Sequence, residues 1–564
     1  MIQIVVKYAL ILSLIVTSFY CAGQQAPSGG PPDTTPPKII ATYPSAGTLR
    51  YHDNKFSFSF SKYIERRSLQ ESFFVSPSLG QFTYEWDGTD VEIFFTDSLR
   101  SNTTYIVTLG TDVIDTRKNR LAEAFSLPFS TGDRIDSGSI AGTVIDDKPV
   151  GVMIFAYELE GRNPDTLNPT KLKPDFLTQT GKDGSFILPY MAFGKYRLFA
   201  VRDEYKNLLY DVQTDRYGVW NSDILLSSQT PMVTGIQFKL TVEDTSAPFL
   251  SSAKPIDNSH LLLKFSEAMN VATAYIDSIS ILDTLTGNSL PVYDLSFDNV
   301  TSKDAQLVTG RQDSGKTYRI KLSGLRDINN NLMQSPLNIG IFNASTEPDT
   351  TIPTFEIKGI TNNAKNISIE ESLHVVFSEA INKKSFEMGL SQEDSLGKKV
   401  DGKFLWNSSR EGYFIPASLL TMGMQYTIKI TMDSVIDYSG NAKKDSTISR
   451  RFETVDEKVL SSINGIVADE VKNANGKIYL SAVNLNRKDF NPKMIQLDSL
   501  GQFKFERLLD GKYILSGFRD SDSNGVYTFG KPFPYLSAER FTNFPDTLKL
   551  RARWPLEGVM IRFK

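Results

Sequence analysis

The chain has 564 residues, of which 40% are hydrophobic and 22% charged, and its formal net charge is −4. That length exceeds what one core can organise and points to about three to five domains of roughly 100–200 residues each. No basic face forms, which argues against a nucleic-acid partner.

The first twenty residues read as a secretory signal. Lys7 supplies the positive start, and Tyr8 to Tyr20 is an apolar run too short for a comfortable membrane span. Cys21, the single cysteine of the chain, closes that run. A lone cysteine there resembles the acylated first residue of a bacterial lipoprotein, although Tyr20 and Phe19 stand where that pattern has small residues. The resemblance implies an outer-membrane lipoprotein held to the membrane through Cys21; the plainer alternative is an ordinary signal peptide cut elsewhere. Residues 21–37 follow as a polar, Gly/Pro-rich tether. With no second cysteine there is no intrachain disulfide, so stability rests on packed cores.

A domain of about 100 residues then recurs three times. Each copy opens on a linker: Asp33-Thr34-Thr35-Pro36-Pro37, Asp244-Thr245-Ser246-Ala247-Pro248 and Asp349-Thr350-Thr351-Ile352-Pro353. Proline fixes φ and cannot donate to a ladder, so these segments deliver the chain to a first strand. A strand ending at a polar corner comes next: Phe60-Ser61-Lys62, Phe265-Ser266-Glu267 and Phe377-Ser378-Glu379. Strands of period two follow around Tyr105, Tyr318 and Tyr426. Each copy then carries Asp-x-x-x-Asn, as Asp115 and Asn119, Asp327 and Asn331, and Asp437 and Asn441. Short strands between frequent turns predict an antiparallel sandwich. At these motifs the sequence resembles the bacterial Ig-like domains of surface-layer and envelope proteins. The first copy departs from the pattern with Lys62 in place of Glu, and the first two lack the glycine before the asparagine.

A second kind of module lies between the first two copies and returns at the end of the chain. Gly184-Ser185-Phe186, Gly194-Lys195-Tyr196 and Arg202-Asp203 match Gly501-Gln502-Phe503, Gly511-Lys512-Tyr513 and Arg519-Asp520 with identical gaps. This layout resembles prealbumin-like modules related to carboxypeptidase regulatory domains, which implies another small, non-catalytic β-sandwich. The expected fold is therefore all-β: a tandem array of five small antiparallel β-sandwich modules after a signal peptide. Their expected extents are 38–132 (Ig-like), 135–242 (prealbumin-like), 244–347 and 349–456 (Ig-like) and 460–564 (prealbumin-like), joined by short polar junctions into a semi-rigid rod.

Asp520-Ser521-Asp522-Ser523-Asn524-Gly525 is the sharpest local signal for chemistry. Alternating oxygen ligands with Gly at the sixth place is how a Ca²⁺ loop wraps a hard cation. The full EF-hand pattern fails, since Lys531 holds the twelfth place, so a Ca²⁺ site at Asp520, Asp522 and Asn524 would need completion from another loop. The competing reading is a plain Asp/Asn/Gly turn. Asp115, Asp327 and Asp437 are carboxylates at module tips, but their repetition points to an Asx-type turn. Trp220 is a weak candidate for glycan stacking. The three histidines, His52, His260 and His374, sit in no zinc-peptidase motif, and no P-loop, nucleophile elbow or dinucleotide fingerprint occurs.

These observations favour a non-catalytic envelope lipoprotein acting as a structural, adhesive or binding scaffold, with no cofactor required other than the candidate Ca²⁺. Its expected partners are the membrane, through the lipid, and an envelope protein or glycan. The alternatives are a Ca²⁺-dependent carbohydrate- or protein-binding module and, with less support, a glycan-processing hydrolase using a carboxylate pair. Against the hydrolase, the repeats leave no segment of a catalytic domain's length.

Overall fold

A computed structural model describes residues 33–563 except 298–301, 473, 487–491, 498 and 500. The expected signal segment and Cys21 lie outside the described residues. Among the described residues, no helix is long and apolar enough to cross a membrane. The chain divides into two compact units. Among the described residues, one comprises those of 33–162, 173–208 and 223–238, and the other those of 163–172, 209–222 and 239–563.

The first Ig-like module sets the pattern. Strands β1 (Ile39–Tyr43), β2 (Lys55–Phe60), β3 (Phe73–Ser76), β4 (Phe82–Asp87), β5 (Asp90–Phe95), β6 (Thr104–Leu109) and β7 (Phe125–Ser130) form two antiparallel sheets, ordered β1-β2-β5-β4 and β3-β6-β7. Strand β2 reads Lys-Phe-Ser-Phe-Ser-Phe, and its three phenylalanines turn inward while the serines face out, as a period of two requires. In the other unit, Leu250–Pro255, His260–Phe265, Asp304–Thr309 and Val292–Phe297 repeat the four-stranded sheet, and Ile279–Asp283, Thr317–Leu322 and Ile339–Asn343 repeat the three-stranded one. The third copy repeats both sheets and adds Ala364–Ile367, which pairs parallel to Thr447–Thr454. The antiparallel sandwich expected from the repeats is therefore present.

The tyrosine of the period-two strand does the same work in all three copies. Tyr105 stacks on Phe129, Tyr318 on Phe342 and Tyr426 on Phe452, with ring centroids 5.3, 5.5 and 5.5 Å apart. Each hydroxyl accepts a backbone N–H five residues upstream, from Arg100, Asp313 and Thr421. The ring fills the core while the hydroxyl pins the preceding loop, the logic of a tyrosine corner. Period two holds for Thr317–Leu322. It fails for β6, whose residues are all buried, because strands of the following module in the same unit pack against that sheet.

Two short helices were not expected from the sequence. Arg66–Glu71 and Lys383–Gly389 carry the chain from the polar corner to the second sheet, each burying one apolar residue, Leu69 and Phe386. A run of six or seven residues with one inward side chain is too short to show helical periodicity.

The terminal module, wholly within one unit, pairs Leu460–Asp469 antiparallel to Gly501–Leu509 and parallel to Leu556–Phe563. A second sheet is centred on Lys477–Asn484 and Gly511–Asp520. The Arg-Asp motif common to this module type places an ion pair across it. Arg519 bonds Asp469 at 2.8 Å and Arg202 bonds Asp146 at 3.1 Å.

Candidate functional site

Three sequence motifs noted separately meet at one end of every Ig-like module: the Asp-Thr linker, the polar corner and the Asp-x-x-x-Asn loop. The corner serine docks the linker. Its hydroxyl accepts from the amide of the residue after the linker proline, in the pairs Lys38–Ser61, Phe249–Ser266 and Thr354–Ser378 at 2.8, 3.0 and 2.9 Å. The same serine's amide returns a bond to that residue's carbonyl.

The loop clamps the linker from the other side. Asn119, Asn331 and Asn441 each donate one side-chain N–H to the carbonyl of Asp33, Asp244 or Asp349, and another to Oδ2 of their own Asp115, Asp327 or Asp437. The remaining oxygen of that Asp accepts the Asn amide four residues on. These aspartates therefore shape a turn, as their repetition implied, and orient the asparagine that bonds the linker carbonyl. The residue before each Asn has positive φ: 69° at Lys118, 70° at Asn330 and 92° at Gly440. Glycine adopts that conformation freely and asparagine tolerates it, whereas lysine is strained there.

With the backbone fixed, the corner residue decides the chemistry. In the first module Lys62 Nζ donates to Asp33 Oδ2 at 2.7 Å and to the Thr35 carbonyl at 2.5 Å, and lies 3.4 Å from Asp115 Oδ2. The lysine bond holds the Asp33 carboxyl well below its usual range. In the other two copies a third carboxylate replaces the ammonium. Asp244, Glu267 and Asp327 converge in one, and Asp349, Glu379 and Asp437 in the other, each set with oxygens within 4.8 Å of one another. Glu267 is pushed up to about 7 by burial, by its hydrogen bond with Asp244 and by the charge of Asp244 and Asp327. Glu379 is pushed up to about 7 by burial and by Asp349 and Asp437; Asp257 adds to the shift and His260 opposes it. Like charges gathered in a low dielectric favour the protonated acid.

The third module's cluster adjoins two groups of the preceding one. His260 Nδ1 lies 2.9 Å from Asp257 Oδ2 and 3.8 Å from Asp349 Oδ2. Burial lowers the affinity of His260 for its proton, but the Asp257 bond outweighs it and the net shift is upward.

The Asp520 turn is built differently. Asp520 Oδ1 and Oδ2 accept the amides of Asn524 and Gly525 at 3.1 and 3.0 Å. Asp522 accepts from the Asn524 amide and side chain and from the Thr528 hydroxyl. Glu539, arriving from another loop, lies within ligand distance of both aspartates, but it accepts from Ser521 and the Thr528 amide. The sister module makes the same turn without the alternating carboxylates: Asp203 accepts the amides of Asn207 and Leu208 at 3.2 and 2.8 Å. The turn thus holds its shape through its own donors. Trp220 is half-buried, just past the strand Arg216–Val219.

One further concavity, of about 340 Å³, is lined by Glu370, Glu371, Lys493 and Arg507 among others. Three of those charges pair with one another, Glu370 bonding Lys493 at 2.8 Å and Arg507 at 2.5 Å.

A profile for the bacterial Ig-like domain matches residues 33–131 and 349–454. Both matches begin at a linker aspartate and contain the whole head network, so the chain carries bacterial Ig-like domains. No curated protein matches the chain. Among solved structures, the N-terminal part of the bacterial S-layer protein SbsC is 18% identical, with a TM-score of 0.17, over 37% of this chain and 44% of that one. An L,D-transpeptidase from Mycobacterium smegmatis is 14% identical, with a TM-score of 0.14, over 23% of this chain and 58% of its own. Domains 1–6 of SbsC are 9% identical, with a TM-score of 0.15, over 93% of this chain and 68% of that one. The chain therefore spans less than two thirds of the first two structures.

Proposed function

We propose that this array of Ig-like and prealbumin-like sandwiches is a non-catalytic scaffold of the bacterial cell envelope, anchored through an acylated Cys21 and presenting loops and free sheet edges to an envelope protein or glycan. The observation that carries this reading is the head network. The same serine dock and asparagine clamp seat the incoming linker on all three Ig-like modules, so the most elaborately repeated feature serves to join modules. The hydrolase reading would assign the raised Glu379 as a general acid beside a carboxylate partner. That side chain is 5% exposed and lies under the linker, where no sugar reaches it.

The test is intact mass and membrane fractionation of the native protein beside Cys21→Ser. The expected result is an acyl mass on the wild type, which sediments with membranes, and release of the variant as soluble protein. A wild type that is soluble and unacylated overturns the anchored reading and leaves a freely secreted binding protein.

A further inference from the structure

The head of the first module shows what its oxygen cage accommodates. Two carboxylates, Asp33 and Asp115, and one carbonyl, Thr35, surround a single positive centre, the Lys62 ammonium. The third module keeps both carboxylates as Asp349 and Asp437, and Thr351 holds the sequence position of Thr35. Its backbone bonds are the same: Thr35 N–H and Thr351 N–H reach their linker aspartates at 2.9 and 3.0 Å. What changes is the centre. The ammonium is gone, and Glu379 adds a third carboxylate to the converging pair.

That cluster is incomplete as it stands. Glu379 Oε1 and Asp349 Oδ2 are buried and have no hydrogen-bond partner. The Glu379 residue is 5% exposed and the Asp349 side chain 2%. His260 faces Asp349 at 3.8 Å, but the same ring nitrogen is engaged 2.9 Å from Asp257. Orphaned carboxylate oxygens inside a protein are strongly disfavoured unless a cation or a donor meets them. Asp437 Oδ2 is already held by Asn441, yet its counterpart Asp115 Oδ2 accepts Asn119 and approaches Lys62 together. A carboxylate so clamped therefore still serves a central cation.

The donors are all oxygen, with no thiolate, which selects a hard ion; three carboxylates suit the irregular oxygen shell of calcium. We propose that Asp349, Glu379 and Asp437 hold a Ca²⁺ ion at the head of the third Ig-like module, in the place where Lys62 supplies the positive charge of the first. The ion fastens the linker aspartate to the module it enters, beside Asp257 and His260 of the module before. The ligand set is spread over linker, strand corner and loop, so the site exists only while the linker is seated.

Two exchanges test this in the full-length chain, stripped with a chelator and titrated calorimetrically with CaCl₂. Glu379→Lys copies the arrangement of the first module and is expected to bind one ion fewer than the wild type. Lys62→Glu copies the third module and is expected to bind one ion more. In the wild type, saturating Ca²⁺ is expected to raise the melting temperature of the stripped protein by on the order of 10 °C, a rise that Glu379→Lys removes. If Glu379→Lys fails to fold, the Lys62→Glu count decides the matter. An unchanged count in both variants, or a wild-type melting curve indifferent to Ca²⁺, overturns the proposal.

Discussion

The first and third Ig-like modules seat their linkers with the same hydrogen bonds and place opposite charges at the centre of that seat. Serine docks the linker in both, asparagine clamps the linker carbonyl in both, and the loop aspartate accepts the same amide in both. Lys62 places a cation between the two carboxylates of the first head, whereas Glu379 makes the third a cluster of three acids. The frame is thus independent of the charge it encloses. Neutral hydrogen bonds between backbone and short side chains set the geometry, and one residue at the strand corner sets the electrostatics.

That independence can be broken most directly at the clamp. Asn441→Ala and Asn119→Ala each remove one side-chain hydrogen bond to a buried carboxylate and one to the linker carbonyl. Each is expected to cost about 1–3 kcal/mol in chemical denaturation. Equal losses would confirm that the clamp is indifferent to the central charge. A much smaller loss at Asn119 would mean that Lys62 holds the first linker by itself.

The comparison sharpens with pH. Glu379 is raised to about 7 by burial and by Asp349, Asp437 and Asp257, against the opposing His260. A carboxyl with a folded pKa above its unfolded value binds its proton more tightly when folded. Its contribution is full below about pH 4 and is lost as pH rises through about 7. His260 is also raised, so its contribution falls in the same direction. In chelator, the melting temperature is expected to drop by on the order of 5 °C between pH 5 and pH 8, with a flatter profile in Glu379→Gln. The first head contributes no such slope. Its Asp33 is pushed far down by Lys62, so that stability is already complete above the unfolded carboxylate range and is lost only in strong acid.

The smallest effect lies at the position before the clamp asparagine. Lys118 holds φ 69° where the third module has Gly440. Lys118→Gly is expected to stabilise the first module by about 0.5 kcal/mol in denaturant unfolding, relief of strain exceeding the extra freedom of the unfolded chain. A destabilised variant would show that the lysine side chain contributes more than its backbone costs.

The sandwich was legible because its signals are local. Alternating Phe and Ser in Lys55–Phe60, the repeated tyrosine and the proline linkers each name a strand or an entry point from a few neighbouring residues. The two short helices were not legible, since six or seven residues with a single buried side chain carry no period. At the Asp520 run the sequence offered two readings, a Ca²⁺ loop and a plain turn; the carboxylates accept the turn's amides and the Thr528 hydroxyl, and Glu539 converges on both aspartates. Glu539 was absent from the sequence reading because it joins from a segment with no motif of its own. The head cluster is the opposite case. All its parts were visible as repeats, and Lys62 stood out as a departure, but nothing in the spacing joined Asp33, Lys62 and Asp115 into one place.

The sequence alone determined the repeat, the strand alternation, the turn at each Asp-x-x-x-Asn and the exchange of Glu for Lys at the first corner, because each depends on residues adjacent along the chain. Only the tertiary structure decided that linker, corner and loop close on one another. Their separations, 29 residues from Asp33 to Lys62 and 53 from Lys62 to Asp115, are spanned by sheets whose packing no local pattern encodes. Burial, which gathers three ordinary carboxylates and raises Glu379 to about 7, is a property of that closure.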